Sequence, residues 1–131
     1  MINPNEIKPS SSLPNFIKAF SNLERSLSSP ILEPRDLSGI IKDFEMTYEL
    51  SWKVLKKKLQ AEGHQTLGAK DVYSKAFQLG FIENEGAWLK MIECRNQTAH
   101  VYDEAAANAI VVEIQSKFIK CFQALKKLMV L

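Results

Sequence analysis

The sequence predicts an all-α fold, most simply an antiparallel, up-and-down four-helix bundle with an additional short helix. Three observations predict it. Apolar residues recur at steps of three and four along most of the 131 residues. Residue types that cap and stop helices stand at the ends of those stretches. No alternating apolar and polar run with hairpin signals interrupts them. A chain of this length buries roughly 65–70% of its unfolded surface as one domain, enough for a core without disulfides or a structural metal.

Pro4, Pro9 and Pro14, with the Ser10-Ser11-Ser12 run among them, mark residues 1–13 as a flexible tail and leave 14–131 as the helical domain. Pro14 suits the first residue of a helix, because the N–H it lacks would be unpaired there anyway. Phe16, Phe20, Leu23 and Leu27 follow at steps of 4, 3 and 4, giving a first helix over about 14–28. Ser28, Ser29, Pro30 and Pro34 then read as a loop. The clearest periodicity is Leu37, Ile41, Phe44, Tyr48, Trp52, Leu55 and Leu59, with Asp36 as the expected N-cap and Gly63 as the stop. Lys53, Lys56, Lys57 and Lys58 ride on this helix. They read as a solvated outer face, with contact to a phosphate backbone as the alternative.

A loop bounded by Gly63 and Gly68 leads into a short amphipathic piece over about 69–79, closed by Gly80. The fourth helix begins between 83 and 86 and runs through Trp88, Met91, Ile92 and Arg95 to about His100. Asp103 is the N-cap of one last long helix, on which Ala107, Ile110, Ile114, Phe118, Cys121, Leu125 and Leu128 step by three or four.

With 17 Lys and Arg against 15 Asp and Glu, the net charge of +2 argues against a coat protein for duplex DNA, which needs a strongly basic face. Cys94 and Cys121 form no CxxC pair, and with only His64 and His100 beside them neither a disulfide framework nor a zinc cluster is expected. A magnesium ion held by carboxylates stays open on this ground. The N-terminus lacks a basic stretch followed by an apolar one, and no apolar run approaches bilayer length. The expectation is a cytoplasmic, reduced, soluble protein with no cofactor and no membrane partner.

The fourth helix is where core logic fails. With Trp88 at 0° on a 100° wheel, Ile92 falls near about +40°, Ala99 near about +20° and Arg95 near about −20°, so a guanidinium sits within the apolar stripe. A buried unpaired charge is costly, so Arg95 is either paired with a carboxylate or waiting for an anionic ligand. Asn96 and His100 stand one turn apart, so Asn96 can orient the imidazole and Glu93 can support Asn96. Arg95 and His100 are about 140° apart. They converge only if the helix unwinds near His100, or if a second copy brings its own residues across a symmetry axis. A histidine near a helix C-terminus exchanges protons near neutral pH. An arginine offers fixed charge for a phosphoryl oxygen, and together they suffice for metal-free RNA cleavage. Tyr102 adds a hydroxyl two residues on.

Arg95-Asn96-Gln97-Thr98-Ala99-His100-Val101-Tyr102 fits the pattern RxxxxHxY, with a polar residue directly after the arginine. In this the chain resembles the HEPN superfamily and, within it, the HepT-like proteins, also described as nucleotidyltransferase substrate-binding proteins. The likeness extends over Phe44-Glu45, the run Tyr48 to Lys53, Ala76-Phe77, Trp88 and the motif through Asp103. The resemblance implies a helical homodimer whose motif helices line a shared cleft, and a minimal nucleotidyltransferase as partner. It implies a metal-independent ribonuclease toxin in which Arg95 and His100 are catalytic and Asn96 orients. Tyr102 then stands where the partner attaches adenylyl groups. The other function class is a non-catalytic subunit that presents a nucleotide or other substrate to the transferase, with the same cleft as an anion site. A helical interaction module with a structural Arg95 is the plainest alternative.

Overall fold

The structure, a computed structural model, describes residues 12–130; residues 1–11 of the expected tail lie outside the described residues. Helix α1 is Ser12–Ser28, so it begins two residues before the expected start, and Pro14 stands in its first turn. Helix α2 is Pro34–Ala61. Its start corrects the expectation at Asp36: Pro34 is the first helical residue, a position that suits its fixed φ and missing N–H. Asp36, two residues on, accepts the amides of Leu32 at 2.8 Å and Glu33 at 2.9 Å. Those two backbone donors, Leu32 first, hold its carboxyl below the usual range.

Gly63 ends α2 as expected, in a left-handed conformation with φ 86°. The His64 amide caps the turn by reaching the Leu59 carbonyl at 2.8 Å. Helix α3 is Ala69–Gln78, stopped by Gly80 at φ 81°. Helix α4 is Glu85–Gln97; the Asn84 side chain caps it by accepting the Ala87 amide at 3.0 Å. A 3-10 turn, Thr98–His100, tightens its end. Helix α5, Glu104–Glu113, opens on Asp103, which accepts the Ala106 amide at 2.7 Å as its expected N-cap.

The last long helix is not α-helical throughout. A π-helical turn, Ile114–Phe118, joins α5 to α6, Ile119–Val130. The Ser116 hydroxyl donates to the Val112 carbonyl at 2.7 Å, the acceptor that an unbroken ladder assigns to the Ser116 amide. Across this turn the helix changes neighbours, with α5 packing on α2 and α6 on α1.

No strand occurs among the described residues, and the helices form the bundle the sequence predicts, with α3 as the short insert. Helices α1 and α2 lie along each other, while α3 and α4 close the other side. Phe122 joins the layers. Its ring centroid is 5.8 Å from Phe20, 6.2 Å from Phe16, 6.4 Å from Phe44 and 6.0 Å from Trp88. Tyr73 of α3 extends the chain of rings to Trp88 at 4.9 Å. Three of the four α2 lysines serve separate neighbours: Lys56 lies over the Trp52 ring, Lys58 over Phe81, and Lys57 donates to Ser12 Oγ at 2.7 Å. No helix among the described residues is long and apolar enough to cross a membrane.

Candidate active site

The buried face of α4 is Ala87, Trp88, Met91 and Cys94. Its centre lies about 70° from Trp88 on the wheel, on the side away from Ile92. The stripe expected through Ile92 and Ala99 is therefore corrected: Ile92 is half-buried and Ala99 exposed. Arg95, at about −20°, falls inside the true face between Trp88 and Met91, yet it is 31% exposed and turned toward α2.

There Arg95 has found carboxylates. Its Nη1 is 3.0 Å from Glu45 Oε2 and donates to Thr98 Oγ1 at 3.0 Å. The Thr98 hydroxyl shares its one proton between Glu45 Oε2 at 3.0 Å and the Arg95 carbonyl at 2.7 Å. Nε is enclosed and 3.9 Å from Glu49 Oε1, a charge contact too long for a hydrogen bond. The Trp52 indole fixes Glu49 from its other oxygen at 3.3 Å. Two carboxylates thus face one guanidinium, and the Glu49 charge acts on the core as well. Burial first, and Glu49 second, push the Tyr48 phenol above its ordinary pKa.

His100 is exposed at the end of the 3-10 turn, with Nδ1 3.4 Å from the hydroxyl of Tyr102, which is itself 86% exposed. Asn96 and His100 both line an open groove of about 650 Å³ between α4 and α5, with Val101, Ala106, Ile110 and Glu113. Tyr102, not Asn96, is the imidazole's neighbour by hydrogen bond, and Glu93 pairs with Lys90 at 3.5 Å. The turn explains this, because a 3-10 segment rotates His100 away from the position that an α-helix gives a residue four after Asn96. Cys94 also lines the groove, its thiol pushed up first by burial and then by Glu113, which keeps it in the unreactive protonated form. Among the described residues no group of three or more His, Cys, Asp or Glu side chains is placed to hold a metal ion.

Within one chain, then, His100 and Tyr102 meet and Asn96 shares the groove of His100, while Arg95 faces α2. Sequence reasoning missed Glu45, Glu49 and Thr98 as the arginine's partners. The available signal was two glutamates one turn apart, flanking Tyr48 and Trp52 on an otherwise apolar helix face.

The sequence matches the family described as "Nucleotidyltransferase substrate binding protein like" over residues 11–130. A Haemophilus influenzae protein called "Probable ribonuclease HepT" is 32% identical over 103 residues, covering 75% of this chain and 70% of its own. A Haemophilus influenzae structure described as the fold of a substrate-binding domain of a nucleotidyltransferase superposes with a TM-score of 0.81. The two are 28% identical, and the match covers 91% of this chain and 99% of that one. A chain from a structure of a mutant toxin-antitoxin complex named MntA-HpeT shares the fold, with TM-score 0.77 at 12% identity over 93% of this chain and 96% of its own.

Proposed function

The chain belongs to the HepT-like, nucleotidyltransferase substrate-binding family, and on that premise we propose that it is a metal-independent ribonuclease. It works as the toxin of a toxin-antitoxin pair and is restrained by a minimal nucleotidyltransferase. The observation that carries the reading is the exposed His100, set beside Tyr102 at the mouth of an open groove on the helix that also bears Arg95. The ribonuclease named among the relatives supplies the substrate class, and the family supplies the transferase as partner.

In this reading an imidazole takes the proton of the ribose 2′-hydroxyl as its oxygen bonds to phosphorus. The bond to the 5′-oxygen breaks, and that oxygen takes a proton from solvent water while the imidazolium returns its own to solvent. Arg95 balances the charge that gathers on the phosphoryl oxygens. Because Arg95 and His100 face different ways in one chain, the composite site is that of a two-fold homodimer, in which exposed residues of α4 from both copies line one cleft. The test has two parts. RNA incubated with the protein in EDTA is cut, and light scattering at micromolar concentration gives twice the 14.9 kDa chain mass. RNA left whole in every condition favours the substrate-binding subunit instead, and a strict monomer removes the composite cleft.

Tyr102 is the switch. Its hydroxyl is open to a partner enzyme and lies against His100 Nδ1. Transfer of an adenylyl group from ATP forms a bond from the tyrosine oxygen to the α-phosphorus, releases pyrophosphate and leaves one added negative charge in the groove. That charge competes with a substrate phosphate for Arg95, and the nucleoside blocks the groove. After incubation with the cognate transferase and ATP, mass spectrometry shows an adenylyl-sized increment that is absent from Tyr102→Phe. An equal increment in that variant removes this tyrosine from the mechanism.

A further inference from the structure

A second groove, of about 990 Å³, runs between the first turns of α4 and α6. Lys90, Lys117, Lys120 and Lys127 line it, against the single acidic side chain of Glu83. Lys117 is engaged by Glu113 at 3.1 Å and Lys90 by Glu93 at 3.5 Å. Lys120 and Lys127 make no ion pair with a described residue, and Lys58 adds another ammonium 4.7 Å from the ring of Phe81 at the groove's wall. Along α6 the lysines Lys120 and Lys127 stand about 10 Å apart at 1.5 Å per residue, with Lys117 in the π turn just ahead of them.

The wall continues into the groove that holds His100. Lys90 lines both grooves, so they meet on its side chain. A strand whose scissile phosphate lies at His100 therefore has a basic channel ahead of it. The floor fits a nucleic acid better than a protein segment. Its large apolar side chains, Trp88 at 2% and Leu125 at 1% exposed, are already covered and leave nothing for a peptide's apolar anchors to bury against. Phe81 and Leu128 remain partly open between the lysines. Rows of ammonium groups with a partly open aromatic ring form the kind of surface that holds a single-stranded backbone without reading its sequence.

We propose that this groove extends the candidate active site as a sequence-tolerant track for single-stranded RNA on one side of the scissile bond. The identity of the strand rests on the ribonuclease reading, while the binding surface is tested without cleavage. The probe is a fluorescein-labelled oligouridylate of about twenty nucleotides, bound by the inactive His100→Ala protein and followed by anisotropy as salt rises. Each phosphate contact on a single strand contributes about −0.7 to the slope of log K against log salt. The paired substitution Lys120→Ala with Lys127→Ala therefore lowers the slope's magnitude by about 1.4, which weakens binding by about 25-fold in 0.1 M salt relative to 1 M. Lys18→Ala with Lys42→Ala, exposed lysines away from this groove, leaves both unchanged. Unchanged slope and affinity in the groove pair overturn the proposal, as does an equal loss in both pairs. Loss of transferase binding with RNA binding intact assigns the groove to the protein partner and overturns it too. Failure of the ribonuclease reading shows separately, as wild-type protein that leaves the same oligonucleotide whole while the slopes still decide the track.

Discussion

Replacing His100 or Arg95 with alanine is expected to lower RNA cleavage by a factor of roughly 100 to 10,000, the usual contribution of a proton-transferring side chain or a charge-stabilising donor. The two losses have different origins. Among the described residues His100 has only Tyr102 as a hydrogen-bonding neighbour, and it lies on the surface, so its removal takes away proton transfer and leaves the fold as it was. Arg95 is held by Glu45, Glu49 and Thr98, so its removal also frees two carboxylates. Both are open enough to water, at 32% and 42% exposure, to bear the loss of their partner. Circular dichroism and thermal melts of both variants should match the wild type closely, with the activity difference read on the same RNA in EDTA. Cleavage that persists in both folded variants places the chemistry at another site.

Phe122→Ala is expected to cost about 3–5 kcal/mol, a large part of the roughly 5–15 kcal/mol that holds a domain of this size together. Phe122 is fully buried and touches rings from α1, α2 and α4, so its loss opens a cavity where no single neighbour can close it. Urea unfolding followed by fluorescence gives the shift directly. A loss under about 1 kcal/mol is incompatible with four rings packed around this position.

The helices were legible because burial acts on spacing. The positions Phe16, Phe20 and Leu23, and Phe44, Tyr48 and Leu55, are buried where the steps of three and four put them. Boundaries were less legible where two signals compete. Asp36 and Pro34 both announce a helix start, and the proline's fixed φ set the first residue while the aspartate served the free amides ahead of it. On α4 the ambiguity was rotational: Trp88 lies at one edge of the buried face, so a wheel centred on it turns the helix by about 70°. That turn takes Ile92 and Ala99 out of the face and leaves Arg95 inside it, between Trp88 and Met91. The choice between a paired and a waiting arginine needed Glu45 and Glu49, which are some fifty residues away in the chain and whose contact no local pattern encodes. The motif residues themselves stood out as residue types that a core does not call for. The π turn had no such mark, since the apolar steps run through Ile110, Ile114, Phe118, Cys121 and Leu125 without a break.

That turn acts as a phase shift. In an unbroken α-helix, Ala106, Ile110, Glu113, Lys117, Lys120 and Lys127 share one stripe roughly 100° wide. The widened turn at Ile114–Phe118 falls between the first three and the last two and sets α6 behind α5 in rotation. One stripe becomes two panels, the first lining the groove of His100 and the second carrying Lys120 and Lys127 beside the first turns of α4. A single helix thereby walls two grooves that meet at Lys90, with the five-residue π turn standing between their panels.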